Sequence, residues 1–440
     1  MMKVTSDLYS EYLRYTNRFR HIPYHIDALK LVERRLLLTL NNTAKSKLVK
    51  SAKVVGYCVG DYHPHGDVST YDALVGLVQR GFASGKGNWG QPGFLEDDKA
   101  GAMRYTNITV QKGLNNIITE FLDYVPWQEI EYAKEPLFFS NPIPVGLIGE
   151  GFITGIGVDI IKCPRYTSKD LFTRLTELLQ NKTPTTIIPN IPGCDVYEET
   201  PGEFESILQT GKGSIQVAPK ITVNYDNMIV HGRSPLKGFN QLIAFNKKHK
   251  EKNKQEYFDF VDLSGDRSPI EVQIYSAVKK GQITNDFVKT IWQKVSQRVN
   301  VVCNFINDQD MVEQFGIDTL LMKSYNKWKE THLLKLNDDH RRVSEKIFEL
   351  DVVQVVRDIM QYNPTCKKVD DVLAAFAPHQ QSFPQIDNEH ITKVIGKYSI
   401  KALIEKEINQ KENKKELTDI QSQINTIDQI SYNRIQGYMK

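Results

Sequence analysis

Two apolar stripes near the carboxy terminus constrain this chain more than any other feature. Val343, Ile347 and Leu350 recur at spacings of four and three, and Leu417, Ile420, Ile424 and Ile427 repeat the pattern. Such spacing puts each set on one face of a helix. Two stripes at opposite ends of one region read as an antiparallel helical pair. Pro364, Pro378 and Pro384 interrupt the pattern between them and predict a compact cap. Upstream, residues 140–330 are rich in Gly, Pro and β-branched residues. There Ser214–Val223 and Ile270–Ile274 alternate as strands do. Residues 1–139 mix short helical patterns with basic side chains. The 440 residues therefore divide into three expected parts, 1–139, 140–330 and 331–440.

Overall charge is uninformative. Fifty-six Lys and Arg oppose 53 Asp and Glu, a net of +3, and a 40% hydrophobic content excludes wholesale disorder. Local charge says more. Residues 30–53 carry Lys30, Arg34, Arg35, Lys45, Lys47, Lys50 and Lys53 against the single Glu33, a net of +6. A patch of that kind either neutralises phosphates and releases their counterions or is a solvated face. A second cluster at Lys247–Lys254 reads as a solvated loop. The five cysteines are widely spaced and lack zinc-site pairing, which predicts reduced thiols in the cytosol. Met1–Asp7 has no apolar core of a signal peptide, and no apolar run is long enough to span a bilayer.

Three motifs carry chemistry. Asp61-Tyr-His-Pro-His-Gly-Asp67 places His63 and His65 on a Pro/Gly turn before a helix, with Ser69 and Asp72 at capping-box spacing. Two fixed imidazoles can ligate a metal, donate to a phosphate or move protons. No third ligand stands at zinc spacing, and the basic surroundings favour phosphate. Gly85-Lys-Gly-Asn-Trp-Gly90 reads as a loop and lacks P-loop spacing. Ala102-Met-Arg-Tyr-Thr106 sets Arg104 beside Tyr105. A phenol is a poor nucleophile until cations stabilise its anion, and the same cations stabilise a phosphoryl transition state.

These motifs, in this order, resemble the breakage-reunion subunit of type IIA DNA topoisomerases, the gyrase A and topoisomerase IV A family. Phe19-Arg-His-Ile-Pro23, Asp27–Arg35 and Ser51–Gly56 extend the match, which is strong to about residue 110 and diffuse beyond. The resemblance implies an α+β multidomain chain: a winged-helix DNA-binding domain, an α/β tower domain, and a long antiparallel coiled coil ending in a dimerisation gate. It implies that Tyr105 forms a 5′-phosphotyrosyl link, aided by Arg104, Arg20, His63 and His65. Lys30, Arg34, Arg35 and Lys53 would track the DNA backbone, and Ile156 would wedge between base pairs. Apolar wedges of that kind offset part of the cost of bending.

The implied assembly is a homodimer on double-stranded DNA in the cytoplasm of a bacterium or phage-infected host. A separate B-type ATPase/toprim subunit completes an A2B2 enzyme and supplies Mg2+ and ATP, so this chain itself binds no metal. No β-pinwheel or gyrase-box motif is present, so relaxation and decatenation are expected rather than negative supercoiling. A non-catalytic DNA clamp is the alternative, against which Tyr105, Arg104, Arg20 and the histidines speak. The sequence departs from the family at Ala28, Leu31, Glu33, Asn107 and Asp159–Cys163. An acid at Glu33 is expected to weaken attraction to DNA.

Overall fold

The computed structural model describes residues 12, 16–17, 21–91, 98–155, 160–232, 239–252, 257–265, 270–276, 283–363, 368–398 and 410–438. Arg20 and Ile156 lie outside them. The chain forms two compact units, one of Met1–Trp328 with Ile435–Lys440 and one of Lys329–Arg434. Residues on both sides of 139 share the first unit.

The amino-terminal part of the first unit packs helices α1 (Leu31–Thr43), α2 (Ser51–Tyr57) and α3 (Asp67–Gln79) against a small antiparallel sheet. Its strands β1 (Val49–Lys50), β2 (Ala83–Lys86) and β3 (Asn107–Val110) run in the order β1-β3-β2. Leu36, Leu40, Val54, Leu74, Leu77, Trp89 and Ile108 make the core between them. The glycine-rich Gly85–Gly90 segment is therefore partly a strand, because Gly85 and Lys86 pair with Ile108 and Asn107. Gly85 also lies flat under Trp89, where any Cβ would fall 2.2 Å from the indole Nε1.

The turn into α1 is unusual. Ala28 adopts φ +54°, a left-handed conformation that costs a Cβ-bearing residue about 1–2 kcal/mol. Ala28→Gly is expected to stabilise the chain by about 0.5–1 kcal/mol once glycine's extra unfolded-state entropy is subtracted. A rise of about 1–3 °C in the thermal midpoint is the check.

The rest of the first unit is built on an eight-stranded antiparallel sheet. It comprises β6 (Phe152–Thr154), β7 (Lys162–Pro164), β8 (Cys194–Tyr197), β9 (Lys212–Val223), β10 (Asn227–His231), β11 (Phe258–Asp262), β12 (Glu271–Ser276) and β13 (Gln297–Val302). The hairpin β4 (Trp127–Glu129) and β5 (Lys134–Pro136) stands apart from it. The order is β11-β12-β10-β9-β13-β7-β6, with β8 on β9. Both strands read from the alternation, around Ser214–Val223 and Ile270–Ile274, are present. The Lys247–Lys254 cluster is not simply a loop. The helix Asn240–Glu251 runs through its first half, because Leu242 and Ile243 anchor one face on the sheet core.

In the second unit, the 46-residue helix that starts at Ile317 reaches Tyr362. Leu336, Val343 and Ile347 pack against Leu417, Ile420, Ile424 and Ile427 from two later helices, Gln410–Asn425 and Ile427–Tyr438. The two apolar stripes therefore meet. Val352, Val356, Val372, Phe376, Ile391 and Val394 close a separate core around the intervening short helices. Among the described residues, no helix is long and apolar enough to cross a membrane.

Candidate active site

Tyr105 sits on a tight turn, Met103–Tyr105, between the glycine-rich segment and β3. Its ring is 66% exposed, and the Arg104 guanidinium carbon lies 4.7 Å from the ring centroid. The turn is exposed but fixed at both ends. Thr106, fully buried, donates from Oγ1 to Ser51 Oγ at 2.8 Å. The Tyr71 hydroxyl donates to the Gly101 carbonyl at 2.6 Å and lies 2.9 Å from Thr106 Oγ1. Backbone bonds from Ser51 N to Thr106 O and from Ala52 N to Met103 O tie the same turn to the start of α2. Gly87, at φ +110°, passes close to Thr106, and Gly101 N donates to Asn88 O. The glycine-rich motif is thus the brace of the tyrosine turn.

The two histidines occupy different layers of a second feature. After Tyr57 the helix widens into a π-turn, Cys58–Tyr62, and ends at His63, whose N–H bonds to Cys58 O. Inserted π-turns are common at functional sites. His63 is buried and stacks on the half-buried His65, with centroids 4.2 Å apart. Arg35 Nη1 lies 3.0 Å from His63 Nδ1. A guanidinium only donates, so Nδ1 accepts and the imidazole proton sits on Nε2. α3 begins at Asp67, two residues before the expected cap; Ser69 instead donates back to Gly66 O from the first turn. His63, His65, Gly66, Ser69 and Lys30 line one cleft of about 1340 Å3, and Tyr105 and Arg104 do not line it.

The expectation for Arg34 and Arg35 is corrected by their burial. Arg34 grips the buried Asp27 with two bonds of 2.8 and 2.9 Å. Arg35 grips Glu135 with bonds of 2.6 and 2.9 Å, and both partners are almost wholly buried. A guanidinium desolvated and paired in this way is held by its carboxylate, because breaking such a pair leaves a buried charge unpartnered. Glu33 does not stand bare toward solvent either. It pairs with Arg80 and accepts from the Lys30 N–H, and both carboxylate and guanidinium are nearly buried. Lys30 itself donates to the Thr154 carbonyl at 2.7 Å. Of the seven cations in 30–53, Lys45, Lys47, Lys50 and Lys53 remain exposed. Lys53 lies 5.6 Å from the Tyr57 ring. Arg80, Arg165 and Glu135 are charged groups of this region that no local spacing in the sequence flags. Among the described residues, no group of three or more His, Cys, Asp or Glu side chains is arranged to hold a metal ion.

The site thus combines an exposed tyrosine on a braced turn with an adjacent arginine, and beside it an imidazole-lined cleft. Residues 20–440 match the family of the DNA gyrase/topoisomerase IV A subunits, and the chain belongs to that family. The A subunit of DNA topoisomerase 4 from Pseudomonas aeruginosa is 28% identical over 253 residues, 52% of this chain and 33% of that protein. A DNA gyrase A subunit from Helicobacter pylori is 26% identical over 407 residues, 84% of this chain and 46% of that one. The A subunit of DNA topoisomerase 4 from Neisseria gonorrhoeae is 29% identical, with 68% of this chain and 44% of the other aligned. The chain thus spans less than half the length of these relatives.

Proposed function

We propose that this chain is the DNA-cleaving and religating component of a type IIA topoisomerase. The observation that carries the proposal is the exposed Tyr105 on a turn fixed by Thr106, Ser51 and Tyr71. The Tyr105 phenolate attacks a backbone phosphorus, and the bond to the 3′ oxygen breaks. The leaving 3′ oxygen takes up a proton, and the 5′ phosphate stays on tyrosine. One phosphoester replaces another, so resealing by the 3′ hydroxyl needs no nucleotide. Arg104 stabilises charge on the attacked phosphate, and Arg20 serves the same centre. His65 fronts the cleft as a donor to phosphate, while His63, held by Arg35, orients it.

On this proposal residues 1–139 form the winged-helix domain, residues 140–330 the tower, and residues 331–440 the coiled coil and dimerisation gate. Two copies cut opposite strands, Ile156 wedges the bent duplex, and Lys30 and Lys53 contact its backbone. Mg2+ and ATP belong to a separate B-type subunit in an A2B2 complex acting in the cytoplasm, with relaxation and decatenation as its outcomes.

The test is trapping. The chain is mixed with its ATPase/toprim partner, supercoiled plasmid, Mg2+ and ATP, and the reaction is stopped with denaturant. Linear DNA carrying covalently attached protein is expected. Duplex binding without any adduct would replace the proposal with a non-catalytic clamp.

A further inference from the structure

DNA cleavage needs cations held along the backbone, and two of the arginines nearest the motifs are buried elsewhere. The floor of the cleft supplies others. Arg80 follows α3, Arg165 follows β7, and Lys30 precedes α1; all three line the cleft with Glu33. The two arginine stems converge on Gly149, where a Cβ would lie 3.4 Å from Arg165 Cδ and 3.5 Å from Arg80 Cδ. Arg165 directs Nη1 to the carbonyls of Phe152 and Glu150 and Nε to that of Gly146. Arg80 uses one terminal nitrogen on Glu33, while its other, Nη1, is buried with no hydrogen-bond partner among the described residues.

Three cations thus surround one carboxylate, a local surplus of +2. The surplus is felt by the groups themselves. Burial, then Arg80, pulls Arg165 down to about 10, and burial lowers Lys30 as well. Burial alone would raise Glu33, yet Arg80 and Arg165 hold it below the usual carboxylate range. Under-neutralised cations in a half-enclosed site favour an anion. Asp72 and Glu150 also line the cleft but are solvent-exposed, where water and salt screen them.

We propose that Lys30, Arg80 and Arg165 form a subsite for one DNA backbone phosphate, with Glu33 as the internal counter-ion that the phosphate displaces. The subsite rests on the DNA-cleavage proposal and deepens it. Arg80 Nη1 and the remaining Lys30 ammonium protons are the donors. Displacing Glu33 sets the strength of the grip, because a carboxylate and a phosphate compete for the same guanidinium.

The test is duplex binding by the full chain, read by fluorescence anisotropy across a salt series. Glu33→Gln is expected to tighten binding by about three- to tenfold, a gain that loss of structure cannot mimic. Arg80→Gln and Arg165→Gln are expected to weaken it by about tenfold and to reduce the salt slope by about one each. Melting curves establish that each variant is folded. If Glu33→Gln does not fold, the slope of Arg165→Gln decides. An unchanged slope in folded Arg165→Gln, or no gain in folded Glu33→Gln, would overturn the proposal. ADP at constant ionic strength tests a free-nucleotide source. Loss of ADP binding in Arg165→Gln with the DNA slope unmoved would assign the cleft to nucleotide phosphate and overturn the DNA subsite. The covalent-adduct assay reads Tyr105 separately. A slope change without any adduct would sink the nucleophile assignment and leave the subsite standing.

Discussion

Tyr105→Phe is expected to reduce the covalent protein–DNA adduct below detection, a loss of at least about a thousandfold, with duplex binding within about twofold of the parent. The size follows from chemistry. On the proposed mechanism the phenolic oxygen is the atom that bonds to phosphorus, and phenylalanine has no replacement for it. The selectivity follows from the structure. Tyr105 is 66% exposed, and among the described residues nothing accepts a hydrogen bond from its hydroxyl. The turn that carries it is fixed by Thr106, Ser51 and Tyr71, none of which the substitution touches. The ring's contact with Arg104 survives as well. Adducts are counted on denaturing gels after stopping with detergent, and binding is measured by anisotropy on the same preparations. A Phe variant that still forms adducts would move the nucleophile to another residue. A variant that loses binding in parallel would make Tyr105 a contact residue instead.

Asp27→Asn is the second large effect, on stability. The Asp27 carboxylate is fully buried and accepts four hydrogen bonds: two from Arg34, one from Leu29 N and one from Phe139 N. Asparagine keeps the volume, loses the charge and turns an NH2 toward donors. Arg34 is left as a buried cation without its counter-ion, at a cost of about 3–5 kcal/mol. A fall of about 10 °C in the first thermal transition is expected from calorimetry. Replacing both residues by apolar ones, Asp27→Leu with Arg34→Met, removes the unpaired charge but leaves the buried N–H groups of Leu29 and Phe139 without an acceptor, so only part of the loss is expected to return. A single Asp27→Asn variant within about 1 kcal/mol of the parent would mean that Asp27 and Arg34 are not locked together as described.

Local pattern made part of this architecture readable. The stripes at Val343 and Leu417 and the strands at Ser214 and Ile270 appear where spacing placed them, because periodicity reports which face is buried whatever lies opposite. Of the chemical motifs, the His63–His65 turn was legible, whereas Gly85–Gly90 read as a loop and is partly a strand. Their glycines have a role only in three dimensions: Gly87 takes the φ of +110° beside Thr106, and Gly85 lies under Trp89. Charge was the least legible quantity. Counting residues 30–53 cannot show that Arg35 meets Glu135 a hundred residues later, or that Arg80 turns back to Glu33. Those pairings depend on which elements pack together, so the patch had to lose Arg34 and Arg35 before its exposed remainder, Lys45, Lys47, Lys50 and Lys53, was visible. The lysines after Phe245 likewise read as solvated loop, because their helix is anchored by Leu242 and Ile243 just upstream.

The central claim is double-strand passage by a pair of these chains, and linking number tests it most directly. A single purified plasmid topoisomer is incubated with this chain, its ATPase/toprim partner, Mg2+ and ATP, then resolved on a chloroquine gel. Products differing from the starting topoisomer only in steps of two are the predicted result, and Tyr105→Phe is predicted to leave the starting band alone. Products in steps of one would show single-strand passage and contradict the account. An unchanged topoisomer bound by intact wild-type complex would contradict it equally, leaving a DNA clamp built on the same fold.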